Sequence, residues 1–199
     1  MIKNIVFDLG GVLVDFNPKR YLDHIGLSSE EAEFYSKIIW GKEWMDYNAN
    51  KYSFEELKQL LLNNNPEYRE KLNEILTNID YHYILSEKTD TAEYLKELKQ
   101  QGYNIYVLSD LSKESLIYNK EFDFFEFVDG GVYSFEVGSN KPNENNYKTL
   151  LKTYNLIPNE TIFIDDNINN INAANTLGIR GIQFTDLDKV KEEISNLIS

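Results

Sequence analysis

The chain contains no cysteine among its 199 residues. Without a thiol it forms no disulfide bond, and nucleophilic catalysis by a thiolate is excluded. The same absence excludes zinc and iron–sulfur sites that depend on cysteine ligands.

Positive charge is also scarce, because 20 lysines and arginines face 33 aspartates and glutamates, which gives a formal net charge of -13. Nucleic acids and anionic membranes bind basic patches, so we expect neither as a partner. A small phosphorylated molecule remains possible, because one metal ion and one lysine can reverse the local sign of the charge.

Long apolar runs are missing as well, and no segment approaches the length that spans a membrane. The sequence enters a strand pattern directly at its N-terminus, without the pattern of a signal peptide. We therefore expect a cytoplasmic protein that forms one domain with a sizeable core, with room for a small insertion.

Apolar strand patterns alternate with amphipathic helix patterns over most of the chain. Strands are predicted at Ile2–Phe7, Tyr103–Ser109, Phe125–Asp129, Thr161–Asp165 and Arg180–Phe184. In the helices between them, apolar residues recur at helical spacing, as from Tyr147 to Tyr154. This alternation predicts an α/β fold, a three-layer Rossmann-like core with a mostly parallel sheet, formed by residues 1–15 and 86–199.

Residues 16–85 have a different character, because helix patterns follow one another there without a strand pattern between them. Ser28 with Glu31, and Ser53 with Glu56, have the spacing of capping boxes at helix starts. We interpret this block as a small helical subdomain inserted after the first strand. The alternative is that these helices simply pack on the sheet.

Polar and charged residues follow the predicted strands at four places. These segments are Asp8-Leu9-Gly10, Leu108-Ser109-Asp110, Gly138-Ser139-Asn140-Lys141-Pro142, and Asp165-Asp166-Asn167 with Asn170. Ligands bind beyond the carboxyl ends of the strands in open α/β sheets, so we expect the segments to meet there. Two strands that each deliver carboxylates to one edge predict a divalent-metal site with oxygen ligands.

In this order, the four segments resemble the motifs of the haloacid dehalogenase-like hydrolase superfamily, and the resemblance extends over essentially the whole chain. It is strongest to the subfamily with a small helical cap inserted after the first motif. The resemblance implies that Asp8 is the nucleophile, that Ser109 binds phosphate, and that Lys141 neutralises the phosphate and the nucleophile.

The resemblance also implies a magnesium ion held by the acidic pair. Its expected ligands are Asp8, the backbone carbonyl of Gly10, Asp166 and Asp165, with Asn170 supporting them. The residues expected to contact the substrate are Leu9, Gly10, Ser109, Asp110 and Lys141.

Two positions depart from the family pattern. Gly10 stands where the family usually has the aspartate that protonates the leaving oxygen, and Asp110 stands where an asparagine is usual. If nothing replaces that acid, we expect a preference for phosphates with acidic leaving oxygens, such as sugar 1-phosphates, acyl phosphates and aryl phosphates. Asp15 and Asp110 are the nearby candidates for a substitute acid.

The sequence therefore predicts a magnesium-dependent phosphatase that hydrolyses a small phosphorylated metabolite through an aspartyl-phosphate. A 2-haloacid dehalogenase, which needs no metal, and a phosphate-binding regulator with little turnover remain the alternatives. Aromatic residues in the helical block are candidates for specificity. Trp40 is expected to lie in the block's own core, whereas Trp44 or Tyr47 could face the cleft.

Overall fold

The computed structural model describes residues 1–198, which fold around a sheet of five parallel strands in the order β5-β4-β1-β6-β7. The strands in chain order are β1 (Asn4–Phe7), β2 (Val14–Phe16), β3 (Leu85–Glu87), β4 (Asn104–Ser109), β5 (Gly130–Tyr133), β6 (Thr161–Asp165) and β7 (Arg180–Gln183). The helices are α1 (Pro18–His24), α2 (Ser29–Ile39), α3 (Lys42–Asn48), α4 (Phe54–Asn64), α5 (Arg69–Thr77), α6 (Tyr81–Ile84), α7 (Thr89–Gln100), α8 (Lys113–Asn119), α9 (Ser134–Val137), α10 (Glu144–Thr153), α11 (Ile168–Thr176) and α12 (Leu187–Ile198). The predicted α/β fold class is confirmed.

The two central strands, β1 and β6, are buried along their whole length. Their unbroken apolar runs suit a parallel sheet that is covered by helices on both faces. Phe7 pairs with Val107 on one side and with Ile164 on the other, so the strands reach the same edge in register. The residues that follow them are thereby brought together at this edge.

The prediction of a strand at Phe125–Asp129 is wrong. Asp123–Phe127 forms a short 3₁₀ helix that buries Phe124, and the edge strand β5 begins only at Gly130. A Cβ on Gly130 would overlap the ring of Tyr154, so this strand needs glycine where it lies close to a neighbouring side chain. Gly130 and Gly131 form the first half of this strand.

The helical block lies between β2 and β3, which pair antiparallel with Val14 opposite Glu87. These two short strands at the margins of the block were not expected from the sequence. Both predicted capping boxes, at the starts of α2 and α4, are confirmed. Because β2 pairs with β3, the two ends of the helical block lie side by side, and the chain leaves the core and returns to it at one place.

Helix α3 joins this block to the core through three hydrogen bonds. The Tyr47 hydroxyl donates to Glu114 Oε2 at 2.5 Å, and Ser134 Oγ donates to the Asn48 carbonyl at 2.7 Å. Asn140 Nδ2 donates to the Met45 carbonyl at 2.7 Å. α3 is therefore fixed against the loop that precedes Lys141. None of the helices described is both long and apolar enough to cross a membrane.

Candidate active site

Asp8 follows β1 directly and is paired with a buried lysine. Its side chain is 12% exposed, and its Oδ2 lies 2.9 Å from Lys141 Nζ. Burial raises the pKa of Asp8 to about 7, although the charge of Lys141 and hydrogen bonds from Lys141 and Ser109 act in the opposite direction. The pair places a carboxylate oxygen at the sheet edge with a cation beside it.

Lys141 reaches this position from the loop before α10, and its side chain is 1% exposed. Its ammonium group donates to Asp165 Oδ2 at 2.7 Å and to the Leu108 carbonyl at 3.0 Å. Burial alone would lower the pKa of Lys141, but the carboxylates of Asp8, Asp165 and Asp110 raise it above its ordinary value. The lysine is therefore held as a cation.

Asp165, the last residue of β6, is completely buried and bonded on both oxygens. Asn170 Nδ2 lies 3.0 Å from each of its oxygens, and the Asn167 N–H donates to Oδ1 at 2.8 Å. With Lys141 as a further partner, this carboxylate is held firmly in one orientation. Because both of its oxygens already accept hydrogen bonds, Asp165 is better suited to orienting Lys141 than to binding a metal ion through both oxygens.

Asp166 is exposed and completes an acidic cluster. One oxygen from each of Asp8, Asp165 and Asp166 lies within 4.8 Å of the others. Gly11 has a φ of +76°, and a Cβ there would overlap the Asp166 carboxylate, so glycine allows this close approach. Burial and the Asp165 charge both raise the pKa of Asp166, and a divalent cation would offset this repulsion.

The turn after Asp8 contributes backbone groups. The Leu13 and Val14 N–H groups donate to the Leu9 carbonyl, and the Gly11 N–H donates to the Val14 carbonyl. Within residues 1–198, no backbone hydrogen bond of this turn uses the N–H or C=O of Gly10. The Leu9 N–H donates to Asp8 Oδ1 at 2.7 Å. Carboxylate and carbonyl oxygens are the donors that Mg²⁺ prefers, so Asp8, Asp166 and the Gly10 carbonyl fit this ion.

Ser109 and Asp110 end β4 on the other side of Asp8. Ser109 is buried, and its side chain acts to lower the pKa of Asp8. Both oxygens of Asp110 accept from the Lys141 backbone N–H, at 3.0 Å and 3.1 Å. The structure therefore brings all the residues predicted for the site to one edge of the sheet.

A cavity of about 220 Å³ separates this edge from the helical block. Its wall on the side of the sheet includes Leu9, Gly10, Ser109, Asp110, Leu111, Ser115 and Asn119. Its other wall includes Val14, Phe16, Trp40, Trp44, Met45, Asn48, Tyr81 and Leu85. Trp40 packs against the hydrophobic core as expected and also lines the cavity, as Trp44 does. The Tyr47 hydroxyl is bonded to Glu114 instead.

Lys88 and Asn140 are neighbours of the site to which the sequence assigned no role. Lys88 Nζ donates to the Gly11 carbonyl at 2.7 Å, and its charge lowers the pKa of Asp166. Asn140 connects α3 to the residue before Lys141. Asn140 lies in the segment that contains Lys141, but its bond to the Met45 carbonyl joins residues 95 positions apart, and Lys88 follows a strand that the sequence did not predict, so local patterns indicated a role for neither.

The profile of the haloacid dehalogenase-like hydrolases matches residues 2–178. The chain belongs to this family. It is 26% identical to D-ribitol-5-phosphate phosphatase of Bacteroides thetaiotaomicron, with 100% of both chains covered. It is 27% identical to glyceraldehyde 3-phosphate phosphatase of Pyrococcus furiosus, over 92% of this chain and 80% of that one.

Solved structures of this family share the fold. A family enzyme from Bacteroides thetaiotaomicron, in complex with magnesium and inorganic phosphate, superposes with a TM-score of 0.69 at 21% identity, covering 96% of this chain and 99% of that one. Dehalogenases have the same fold. The protein is thus a hydrolase of the haloacid dehalogenase-like family, and its own residues must decide the substrate class.

Proposed function

We propose that this hydrolase is a magnesium-dependent phosphatase that acts on a small phosphorylated metabolite. The observation that carries the proposal is the buried Asp8–Lys141 pair beside the acidic cluster of Asp8, Asp165 and Asp166. A nucleophile, a fixed cation and a set of oxygen ligands within one site suit phosphoryl transfer, which depends on positioning and on neutralising charge.

In the proposed reaction, an Asp8 carboxylate oxygen attacks phosphorus and forms an aspartyl-phosphate, which water then hydrolyses. Lys141 and Ser109 hold phosphate oxygens, and Lys141 balances the charge that develops on them. Asp165 keeps the ammonium group of Lys141 in place at 2.7 Å. When bound, Mg²⁺ supplies further positive charge for the phosphate oxygens.

The cavity favours a small and uncharged organic group. Its volume of about 220 Å³ lies below the roughly 300–1,000 Å³ that is usual for drug-sized ligands. Asp110 is the one acidic or basic side chain among the described residues that line it, beside apolar faces and the amides of Asn48 and Asn119. The named substrates of the two curated relatives, ribitol 5-phosphate and glyceraldehyde 3-phosphate, are phosphates of primary alcohols. We propose a short polyol or sugar phosphate of this kind.

We interpret residues 16–85 as a cap that closes over such a substrate. The wall formed by Phe16, Trp40 and Trp44 supports this view, because it faces the phosphate site across the cavity. Dehalogenation is the less suitable alternative, since attack on carbon makes no use of a second and third carboxylate beside Asp8. A regulator that only binds phosphate is also less suitable, because the Asp8 carboxylate beside Lys141 would repel a bound phosphate.

A panel of phosphorylated metabolites, assayed with and without Mg²⁺, tests the proposal. We expect hydrolysis that EDTA abolishes and that Mg²⁺ restores. Asp8→Asn should fold normally, because its volume is almost unchanged, and it should lower turnover by about 10⁴-fold or more. Full activity in excess EDTA, or near-wild-type turnover by Asp8→Asn, would contradict the mechanism. Release of halide from 2-haloacids without phosphate release would identify a dehalogenase instead.

A further inference from the structure

Position 10 has no side chain that could protonate a leaving group. A Cβ built on Gly10 meets nothing within 4 Å, so the space where the usual acid would project is open. A primary alkoxide is a poor leaving group unless it receives a proton as the bond to phosphorus breaks. If the substrate is a primary alkyl phosphate, as proposed above, another residue has to supply this proton.

Asp110 is well placed to replace that acid. It follows Ser109 at the end of β4 and lines the same cavity as Gly10 and the residues of the helical block. The Lys141 N–H donates to both of its oxygens, at 3.0 Å and 3.1 Å, which fixes the carboxyl group and stabilises it as an anion after it has lost a proton.

The other candidates fit less well. Asp15 is 55% exposed, forms an ion pair with Arg20 at 3.3 Å, and is not among the residues that line the cavity. Tyr81 lines the cavity, but burial raises its pKa above the ordinary value for tyrosine, which makes it a weak acid. Asp110 is therefore the strongest candidate acid in the described part of the wall.

The charges around Asp110 support a role in proton transfer. Burial and, to a smaller extent, the charge of Asp165 raise the pKa of Asp110 to about 6, while the charge and the backbone N–H of Lys141 act in the opposite direction. A pKa near the working pH is the most favourable one for a general acid and base. Tyr81, which faces Asp110 across the cavity, is neutral in this range.

We propose that Asp110 is the general acid and base of this phosphatase, in place of the residue missing at Gly10; this inference depends on the proposed function. As Asp8 Oδ forms its bond to phosphorus, the bond from phosphorus to the leaving oxygen breaks. That oxygen takes the proton of the Asp110 carboxyl group and leaves as the alcohol. Water then attacks the aspartyl-phosphate, the bond between phosphorus and Asp8 Oδ breaks, and the Asp110 carboxylate takes a proton from the water. Phosphate is released, Asp8 is again a carboxylate, and Asp110 again carries its proton.

Leaving-group dependence separates this role from a structural one. Asp110→Asn keeps an oxygen that can accept the Lys141 N–H, but it has no acidic proton. With ribitol 5-phosphate we expect kcat to fall by about 10²- to 10⁴-fold. With 4-nitrophenyl phosphate, whose leaving group needs no proton, the first chemical step should change by less than about 10-fold, as measured by the burst of nitrophenolate.

Rescue gives a second and independent measurement. In the Asp110→Asn background, Gly10→Asp places a carboxyl group in the open space at position 10 and should restore most of the lost rate on ribitol 5-phosphate. Asp15→Asn serves as a matched control and should leave both rates unchanged. In the wild-type protein, kcat for the alkyl phosphate should decrease on the alkaline side of the pH profile, where Asp8 is ionised and Asp110 has lost its proton, and Asp110→Asn should abolish this limb.

An equal loss on both substrates would show that Asp110 only positions the Lys141 loop, and it would overturn the inference while leaving the phosphatase function intact. A loss selective for the alkyl phosphate in Tyr81→Phe, with Asp110→Asn unaffected, would transfer the role to Tyr81. If the wild-type protein hydrolysed neither phosphate in the presence of Mg²⁺, both the proposed function and this inference would fail.

Discussion

Replacing Lys141 by methionine should destabilise the protein in a strongly pH-dependent way. Methionine has nearly the same length, so the change removes the charge and leaves most of the packing. The lysine side chain is 1% exposed, and its two partners, Asp8 and Asp165, are 12% and 0% exposed. Breaking a buried ion pair by removing one partner costs about 3–5 kcal/mol, because the other charge stays buried without compensation.

The protonation of Asp8 sets the pH dependence of this cost. Burial raises the folded-state pKa of Asp8 from 3.8 to about 7, and the charge of Lys141 is the largest effect that opposes this increase. A raised pKa gives a stabilising contribution that is complete below the unfolded pKa and is lost as the pH rises through the folded one. In Lys141→Met the folded-state pKa of Asp8 is higher still. Near pH 6 Asp8 is therefore protonated, which limits the loss in free energy of unfolding. The loss increases towards about pH 9, because Asp8 then ionises without a cationic partner.

Urea denaturation in the presence of EDTA, at several pH values between these limits, measures this difference directly. Lys148→Met is the matched control, because Lys148 forms an exposed pair with Glu144, with side chains 56% and 53% exposed. We expect the control to change the free energy of unfolding by about 0.5 kcal/mol or less at every pH. Equal effects of the two substitutions, or a cost for Lys141→Met that is the same at all pH values, would refute the reasoning.

Two further predictions concern the turn after Asp8 and a histidine on the helical block. Gly11→Ala should lower the free energy of unfolding by about 1–3 kcal/mol and weaken Mg²⁺ binding, because φ is +76° and a Cβ would displace Asp166. Gly10→Ala is the control and should change the free energy of unfolding by less than about 0.5 kcal/mol. Similar losses for the two variants in urea denaturation would contradict this. His82 lies 2.8 Å from Asp80 and 3.0 Å from Glu121, and the hydrogen bonds that these carboxylates accept from its ring raise its pKa above 6.5. Its contribution to stability is complete below 6.5 and is lost as the pH rises through the raised pKa, so the difference in Tm between wild type and His82→Gln should shrink from about pH 5 to about pH 8. A difference independent of pH, or an NMR titration of the imidazole below 6.5, would contradict this.

The sequence by itself determined the features that depend on short stretches of chain. Apolar runs that end in Asp8, Ser109 and Asp165 predicted parallel strands, and the carboxyl ends of parallel strands necessarily share one edge. The capping boxes at Ser28 and Ser53 were readable because the hydrogen bonds that define them join residues three positions apart. The fold class follows from the same local patterns.

Only the tertiary structure decided the features that depend on distant partners. The Lys141 ammonium group reaches Asp8 across 133 positions of sequence (141 − 8), and no local pattern specifies which carboxylates it meets. Position 130 needs glycine because the ring of Tyr154 occupies the space beside it, and Trp40 and Trp44 line a cavity together with residues that are distant in sequence, Ser109 and Asn119. Spacing along the chain encodes backbone hydrogen bonds and amphipathic faces, whereas such contacts depend on how the completed faces pack against one another.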